Sequence, residues 1–238
     1  MSDHRNHLGQ PLGVPVPGWT GAAEPSTAPM VGRYCRVVRL DPETHAEQLF
    51  EANRVDPEGA NWTYLPYGPF DRMDGYLAWL HEVSKATDPL FFAVVDVSSE
   101  RAAGVASYLR IARDAGSIEV GNINYSPLLQ RSRAGTEAMY LMMRRVFDEC
   151  GYRRYEWKCN SRNAKSMAAA QRLGFRFEGI FRNSQVVKGH NRDTAWFSVT
   201  DDEWPRLRTA FEGWLDPANF RHDGSQRQAL RAEAPHQL

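Results

Sequence analysis

The chain has 238 residues, 42% hydrophobic and 24% charged, with 29 basic residues against 29 acidic ones. This balance excludes a disordered chain, a coiled coil or a collagen-like fibre, and zero net charge argues against nucleic-acid and membrane partners. No run approaches the roughly 20 apolar residues that span a bilayer.

The opening MSDHRNHLGQPLG lacks the apolar core of a signal peptide. Cys35, Cys150 and Cys159 are too few for a disulfide framework and lack zinc-ligand spacing. The expectation is reduced thiols in a cytoplasmic protein with no metal site. Residues 1–31 read as an extended arm, with Pro11, Pro15, Pro17, Pro25 and Pro29 and the alternation Leu12, Val14, Val16 before Trp19. Residues 33–40 form a first strand, and Asp41-Pro42 opens a helix to about Asn53. An aromatic loop, 61–70, leads to a helix over 72–84 closed by Pro89. Strands at 90–97, 103–111 and 117–125 follow with short links, as in an antiparallel meander.

Met139, Met142, Met143, Val146, Phe147 and Cys150 make an amphipathic stripe on a helix over 135–150. A strand at 154–160 and a helix over 163–173 come next, the helix ended by Gly174. Strands 175–187 and 192–200 form a hairpin around Lys188-Gly189-His190-Asn191, and a last helix spans 201–215. From 216 to 238 the chain is polar and expected to be loose. The strands flanking the 135–150 helix should be parallel neighbours, through a right-handed crossover.

Two stretches carry chemistry. LLQRSRAGTEA, 128–138, lies between a strand and a helix start. Free N–H groups there, with the helix dipole behind them, attract anions. Ala134 and Gly135 are small, Thr136 adds a hydroxyl, and Arg131 and Arg133 add charge, so a diphosphate suits the place. It is neither a Walker loop nor a dinucleotide fingerprint. In NAKSMAAAQRLGF, 163–175, Asn163 reads as an N-cap with Ser166 three residues on, and Met167, Ala170 and Leu173 form an apolar stripe.

In this order, separated by a helix and a strand, the two stretches resemble the GNAT superfamily of acetyl-CoA-dependent N-acetyltransferases. Gln130-Arg131-Ser132-Arg133-Ala134-Gly135-Thr136-Glu137-Ala138 is similar to that family's Q-x-x-G-x-[GA]-T-E-A pyrophosphate loop, and Asn163-Ala164-Lys165-Ser166 with Leu173-Gly174-Phe175 to its N-x-x-S…L-G-F motif. The nearest branch includes the ribosomal-protein N-terminal acetyltransferases. Arg133 stands where the family has its first loop glycine. Either its guanidinium pairs with a phosphate, the favoured reading, or the loop is less well formed.

The resemblance implies an α/β (α+β) fold: a mixed, mostly antiparallel twisted sheet of about seven strands with helices on both faces. The sheet is splayed between the strands 117–125 and 154–160, and the transferase domain covers 32–215. It implies acetyl-CoA as co-substrate, held by Ile123, Tyr125, Gln130, Arg131, Arg133, Ala134, Gly135, Thr136, Asn163 and Ser166, and direct attack by a primary amine. Glu119 is the expected base, Asn124 orders water or substrate, and Ser166 protonates the leaving thiolate, because the family's Tyr position is Ala170 here. Gly121 suggests a bulge that frees an N–H for the thioester oxygen.

Trp62, Tyr64, Tyr67 and Phe70 are expected to line the acceptor pocket, with Arg182, Lys188, His190 and Arg192 on its rim. The acceptor is a protein N-terminus or a small amine, and a homodimer is expected. The competing reading is a catalytically silent acyl-CoA-binding module.

Overall fold

The computed structural model describes residues 4–230 and 232. Its eight strands form one sheet in the order β1-β2-β3-β4-β5-β6-β8-β7. They are β1 (Met30–Val31), β2 (Cys35–Arg39), β3 (Leu90–Asp96), β4 (Arg101–Ala112), β5 (Ser117–Tyr125), β6 (Arg154–Asn160), β7 (Arg176–Val187) and β8 (His190–Thr200). The β5–β6 pair is parallel and the others antiparallel. The helices are α1 (Pro42–Asn53), α2 (Met73–Ser84), α3 (Arg133–Arg144), α4 (Ala164–Arg172) and α5 (Trp204–Leu215).

Two cores lie on opposite faces of the sheet. The larger packs α3 and α5 over Tyr108, Ile118, Val120, Tyr155 and Phe197. The smaller packs α1 and α2 over Phe91, Ala93, Val95 and Val105. Because strand side chains alternate between faces, β5 sends Ile118 and Val120 to the first core and leaves Glu119 on the other side.

The strand count is eight, not seven, because the end of the arm pairs with β2, Met30 opposite Val37. Met30 and Ala22 are buried, and the Trp19 indole donates to the Asp114 carbonyl at 2.7 Å. The arm and the turn that follows it are held by residues in and just after α3. The buried Arg145 donates to the carbonyls of Ser26 (3.0 Å) and Ala28 (2.7 Å). The buried carboxylate of Glu137 accepts N–H bonds from Arg33 (2.8 Å), Tyr34 (2.6 Å) and Cys35 (2.8 Å). The expected 135–150 helix starts two residues earlier, where Ser132 caps it, and changes to a π turn over Arg145–Glu149. Such a turn locally alters a helix's winding, and here it falls at the residue that grips the arm.

The segment after 216, expected to be loose, packs back instead. Asp216 caps a short turn through Ala218 N, Phe220 stands edge-on to Tyr34 and Trp214, and Leu230 and Ala232 are buried. Its few apolar side chains suffice as anchors because α4 and α5 leave apolar surface beside them. Residues 1–3 of the arm, and 231 and 233–238 of this segment, lie outside the described residues.

Glu137→Gln leaves a carboxamide NH2 facing N–H donors that a carboxylate had satisfied. Urea denaturation should show a loss of about 3 kcal/mol, the scale of hydrogen bonds to a charged group.

Candidate active site

The parallel pairing of β5 with β6 runs from Ser117 opposite Arg154 to Val120 opposite Trp157, and there it stops. On its other edge β5 stays with β4, but Ser107 faces Gly121 while Val105 faces Asn124. Asn122 and Ile123 therefore oppose Ala106 alone. This is a β-bulge, with Asn122 at φ 50°. A bulge bends and twists its strand, so β5 turns away from β6 beyond Val120 and a gap opens. The Asn122 amide donates to Ser107 Oγ at 2.9 Å, and the Tyr67 hydroxyl donates to Asn122 Oδ1 at 3.4 Å. Ser126 N–H bonds across to Ala103 O. Successive amides point to alternate edges, so the Tyr125 main chain faces the gap. Its carbonyl accepts from Asn61 Nδ2 (2.6 Å) and Gln130 Nε2 (2.7 Å).

An anion cradle stands at the mouth of the gap. Ser132, not singled out in the sequence, is the N-cap of α3: its Oγ accepts from Gly135 N at 2.9 Å. Among the described residues, the N–H groups of Arg131, Arg133 and Ala134 have no backbone partner. Arg131 lies in the left-handed region at φ 57°, which turns its amide into the same concavity.

The small residues also serve packing. Ala134 is buried, and a Cβ at Gly135 would lie 2.6 Å from the Leu129 carbonyl. Both let the first turn of α3 settle on the loop, where backbone amides and guanidinium groups are the groups left facing outward. The Arg133 guanidinium lies over the rings of Tyr34 (4.9 Å) and Phe220 (4.8 Å), which fixes its faces and leaves its N–H edges for an anion. Arg172 also reaches this turn, donating to Thr136 Oγ1 at 3.2 Å. Nothing in the sequence pattern placed it there, because the contact crosses from α4 to α3.

On the β6 side, Asn163 caps α4 by accepting from Ser166 N at 3.1 Å. The Ser166 hydroxyl accepts from the Trp157 indole at 3.0 Å. Its own hydrogen lies within reach of the nearby Cys159 sulfur. Burial pushes the nearby Cys159 thiol up, with the Ser166 hydroxyl opposing. Ala170 is fully buried.

On the other face of the sheet Glu119 is buried and its Oε2 meets Arg110 (2.7 Å) and Lys158 (2.9 Å). Lys158 continues to Glu156 (2.6 Å), which meets Arg154 (2.6 Å), which meets Glu178. Three cations and three carboxylates thus alternate across β4, β5, β6 and β7. Burial raises the Glu119 pKa above the usual carboxylate value, and the two cations oppose the shift. Gly121 makes room beside it: a Cβ there would lie 3.4 Å from Glu119 Oε1 and 2.9 Å from Leu109 Cδ2. Asn124, on the same face beyond the bulge, is 1% exposed and its Nδ2 has no partner.

The expected aromatic wall divides. Trp62 is 4% exposed and sits among Tyr67, Phe70, Tyr76 and Trp79 in the smaller core. Trp62 and Phe70 also line a cavity of about 400 Å³ beside α1, so their rings serve that side. Tyr64 and Tyr67 reach towards the gap, Tyr64 donating to the Arg162 carbonyl at 3.0 Å. From the hairpin, Lys188 Nζ donates to the Trp62 carbonyl at 2.9 Å. Arg192 is half-buried, while Arg182 and His190 are exposed.

A sheet parted between two parallel strands, an anion cradle at the helix that follows the first of them, and polar groups on both sides of the parting define a coenzyme A-dependent acyltransferase. The comparisons carry this further. The model of the GNAT acetyltransferase domain matches residues 36–176, and the chain belongs to that family. It is similar to a GCN5-related N-acetyltransferase from Brucella melitensis: 46% identical, TM-score 0.89, covering 90% of this chain and 97% of that one. It is also similar to a GNAT-family protein from Chromobacterium violaceum, 40% identical with TM-score 0.76, covering 82% and 98%. The microcin C7 self immunity acetyltransferase MccE, solved with acetyl-CoA and AMP, shares the fold at 18% identity and TM-score 0.62, covering 71% of this chain and 93% of that one. No curated protein matches the chain significantly. Among the described residues no helix is long and apolar enough to cross a membrane.

Calorimetric titration with acetyl-CoA should show Arg133→Ala weakening binding by roughly tenfold or more, the scale of a charge-assisted hydrogen bond. Phe220→Ala should weaken it less, through loss of one face of the guanidinium clamp. Unchanged affinity in both would leave the phosphates to backbone amides alone.

Proposed function

We propose that this chain transfers the acetyl group of acetyl-CoA to a primary amine by direct attack in a ternary complex. The observation that carries the reading is the parting of β5 from β6 just beyond Glu119 and Val120, with the capped first turn of α3 following β5 and Ser166 held beside β6 by Trp157. Arg131, Arg133, Gln130, Thr136 and the amides of the first turn hold the diphosphate. Asn163, Ser166 and the Ile123–Tyr125 main chain border the thioester. Acetyl-CoA supplies an acyl carbon activated by sulfur.

The amine nitrogen bonds to that carbon as the carbon–sulfur bond breaks. Glu119, directly or through a water held by Asn124, takes the proton the amine loses. Backbone N–H groups of the bulged segment face the oxygen that gains charge. Ser166 protonates the departing thiolate, and the indole N–H at its oxygen makes that proton easier to give. Three buried free thiols support a reducing, cytoplasmic setting.

Thiol release from acetyl-CoA, screened over an amine library, tests the reading. Tight binding with no turnover on any amine would make the chain a silent acyl-CoA-binding module instead. With an accepted amine in hand, Ser166→Ala should lower kcat about 10- to 100-fold while leaving the KM for acetyl-CoA near its original value.

A carboxylate base works ionised, so rate rises with pH through its pKa. With that pKa raised by burial, the acidic limb of kcat/KM should lie above the ordinary glutamate range. Glu119→Gln should erase that limb and lower kcat about 100-fold.

A further inference from the structure

The face of the sheet that carries Glu119 also carries a row of donors with nothing to donate to. Arg192, Thr194 and Trp196 occupy alternate positions on β8, and so share this face. Thr194 and Trp196 lie opposite Asn160 and Lys158 of β6. Arg192 Nε, Thr194 Oγ1 and Trp196 Nε1 are buried and unpartnered, and so is Asn124 Nδ2 across the gap on β5. Thr194 is 3% exposed and Asn124 1%.

Three of these four atoms can only donate. Buried donors are normally paired, and three orphans in a row on β8 with a fourth on β5, all on one face of the sheet, favour a ligand rich in acceptors.

The charges agree. Along this face Glu119 is shared by Arg110 and Lys158, and Glu156 by Lys158 and Arg154. Arg192 has no carboxylate within ion-pair distance among the described residues, though it feels Glu119 and Cys159 from further off. A half-buried guanidinium without a counter-ion is expensive. A ligand carboxylate removes that penalty and satisfies the neighbouring donors together.

The opening is also strapped. Lys188 ties the β7–β8 hairpin to the Trp62 carbonyl, and Tyr64 and Tyr67 tie the same aromatic loop to the start of α4 and to the bulge. These straps favour a small acceptor over a polypeptide.

We infer that the acceptor is a small amine bearing a carboxylate, of the amino-acid type, with Arg192 pairing the carboxylate and Asn124, Thr194 and Trp196 completing its hydrogen bonds. This rests on the amine-acetyltransferase reading above and names its substrate class.

The test separates the two. The CoA-loaded protein is titrated with N-acetylated amino acids, each as free acid and as methyl amide, and with N-acetylated dipeptides, following tryptophan fluorescence and heat. At least one free acid should bind ten times or more tighter than its amide. That preference should disappear in Arg192→Gln and survive in part in Arg192→Lys, with CoA affinity unchanged and melting temperature no lower in both.

Equal binding of acids and amides, or a preference that persists in Arg192→Gln, overturns the inference, as does binding confined to the dipeptides. A carboxylate preference in a protein that acetylates no free amine would keep the site and overturn the transferase reading.

Discussion

The structure turns on two parallel strands that cannot stay together. β5 and β6 pair for four residues, and then the two-for-one register at Asn122 and Ile123 swings β5 aside. A parallel ladder left open inside a sheet exposes main-chain groups on both edges, and in a protein interior those groups must find partners. At Tyr125 the partners are the side chains of Asn61 and Gln130. The rest of the gap has the β5 backbone on one side and Ser166 on the other. Cofactor loop, capped helix and aromatic loop all take their positions from that parting.

The two faces of the sheet divide the work by their physics. The face under α3 is apolar, so the helix can be buried almost all round and still offer its first-turn amides at the edge. The opposite face is closed by α1 and α2 only over β2 to β4. Where they stop, buried ion pairs take over from apolar packing. Buried pairs contribute little net stability, but they fix the carboxylate of Glu119 against two cations and keep it beside Gly121. Holding a carboxylate rigid next to a strand bulge is a better reason for that ladder than stability.

Much of this was legible in the chain. Element order, the parallel crossover around α3, the caps at Asp41 and Asn163 and the bulge beside Gly121 follow from spacing, turn chemistry and glycine placement. What escaped reading shares one cause: long-range contact. Arg172 belongs to the cradle only because α4 lies across α3, and the clamp on Arg133 needs Tyr34 and Phe220, 186 residues apart in the numbering of the chain. The segment beyond 216 looked loose because composition counts its polar residues and cannot see that three apolar ones land on prepared surface. Trp62 and Phe70 read as pocket residues because aromatics before a helix fit both a pocket and a core, and only packing chooses between them.

The carboxylate of Glu137 takes its three amide bonds from residues 102 to 104 positions earlier. Such a bond closes a long loop and is made late, after local helices and hairpins have formed. Until then α3 presents a bare negative charge one turn from the free amides at its start. Docking of the 33–35 turn absorbs that charge. Closing that loop is therefore also the event that turns a helix end repelling anions into one suited to them.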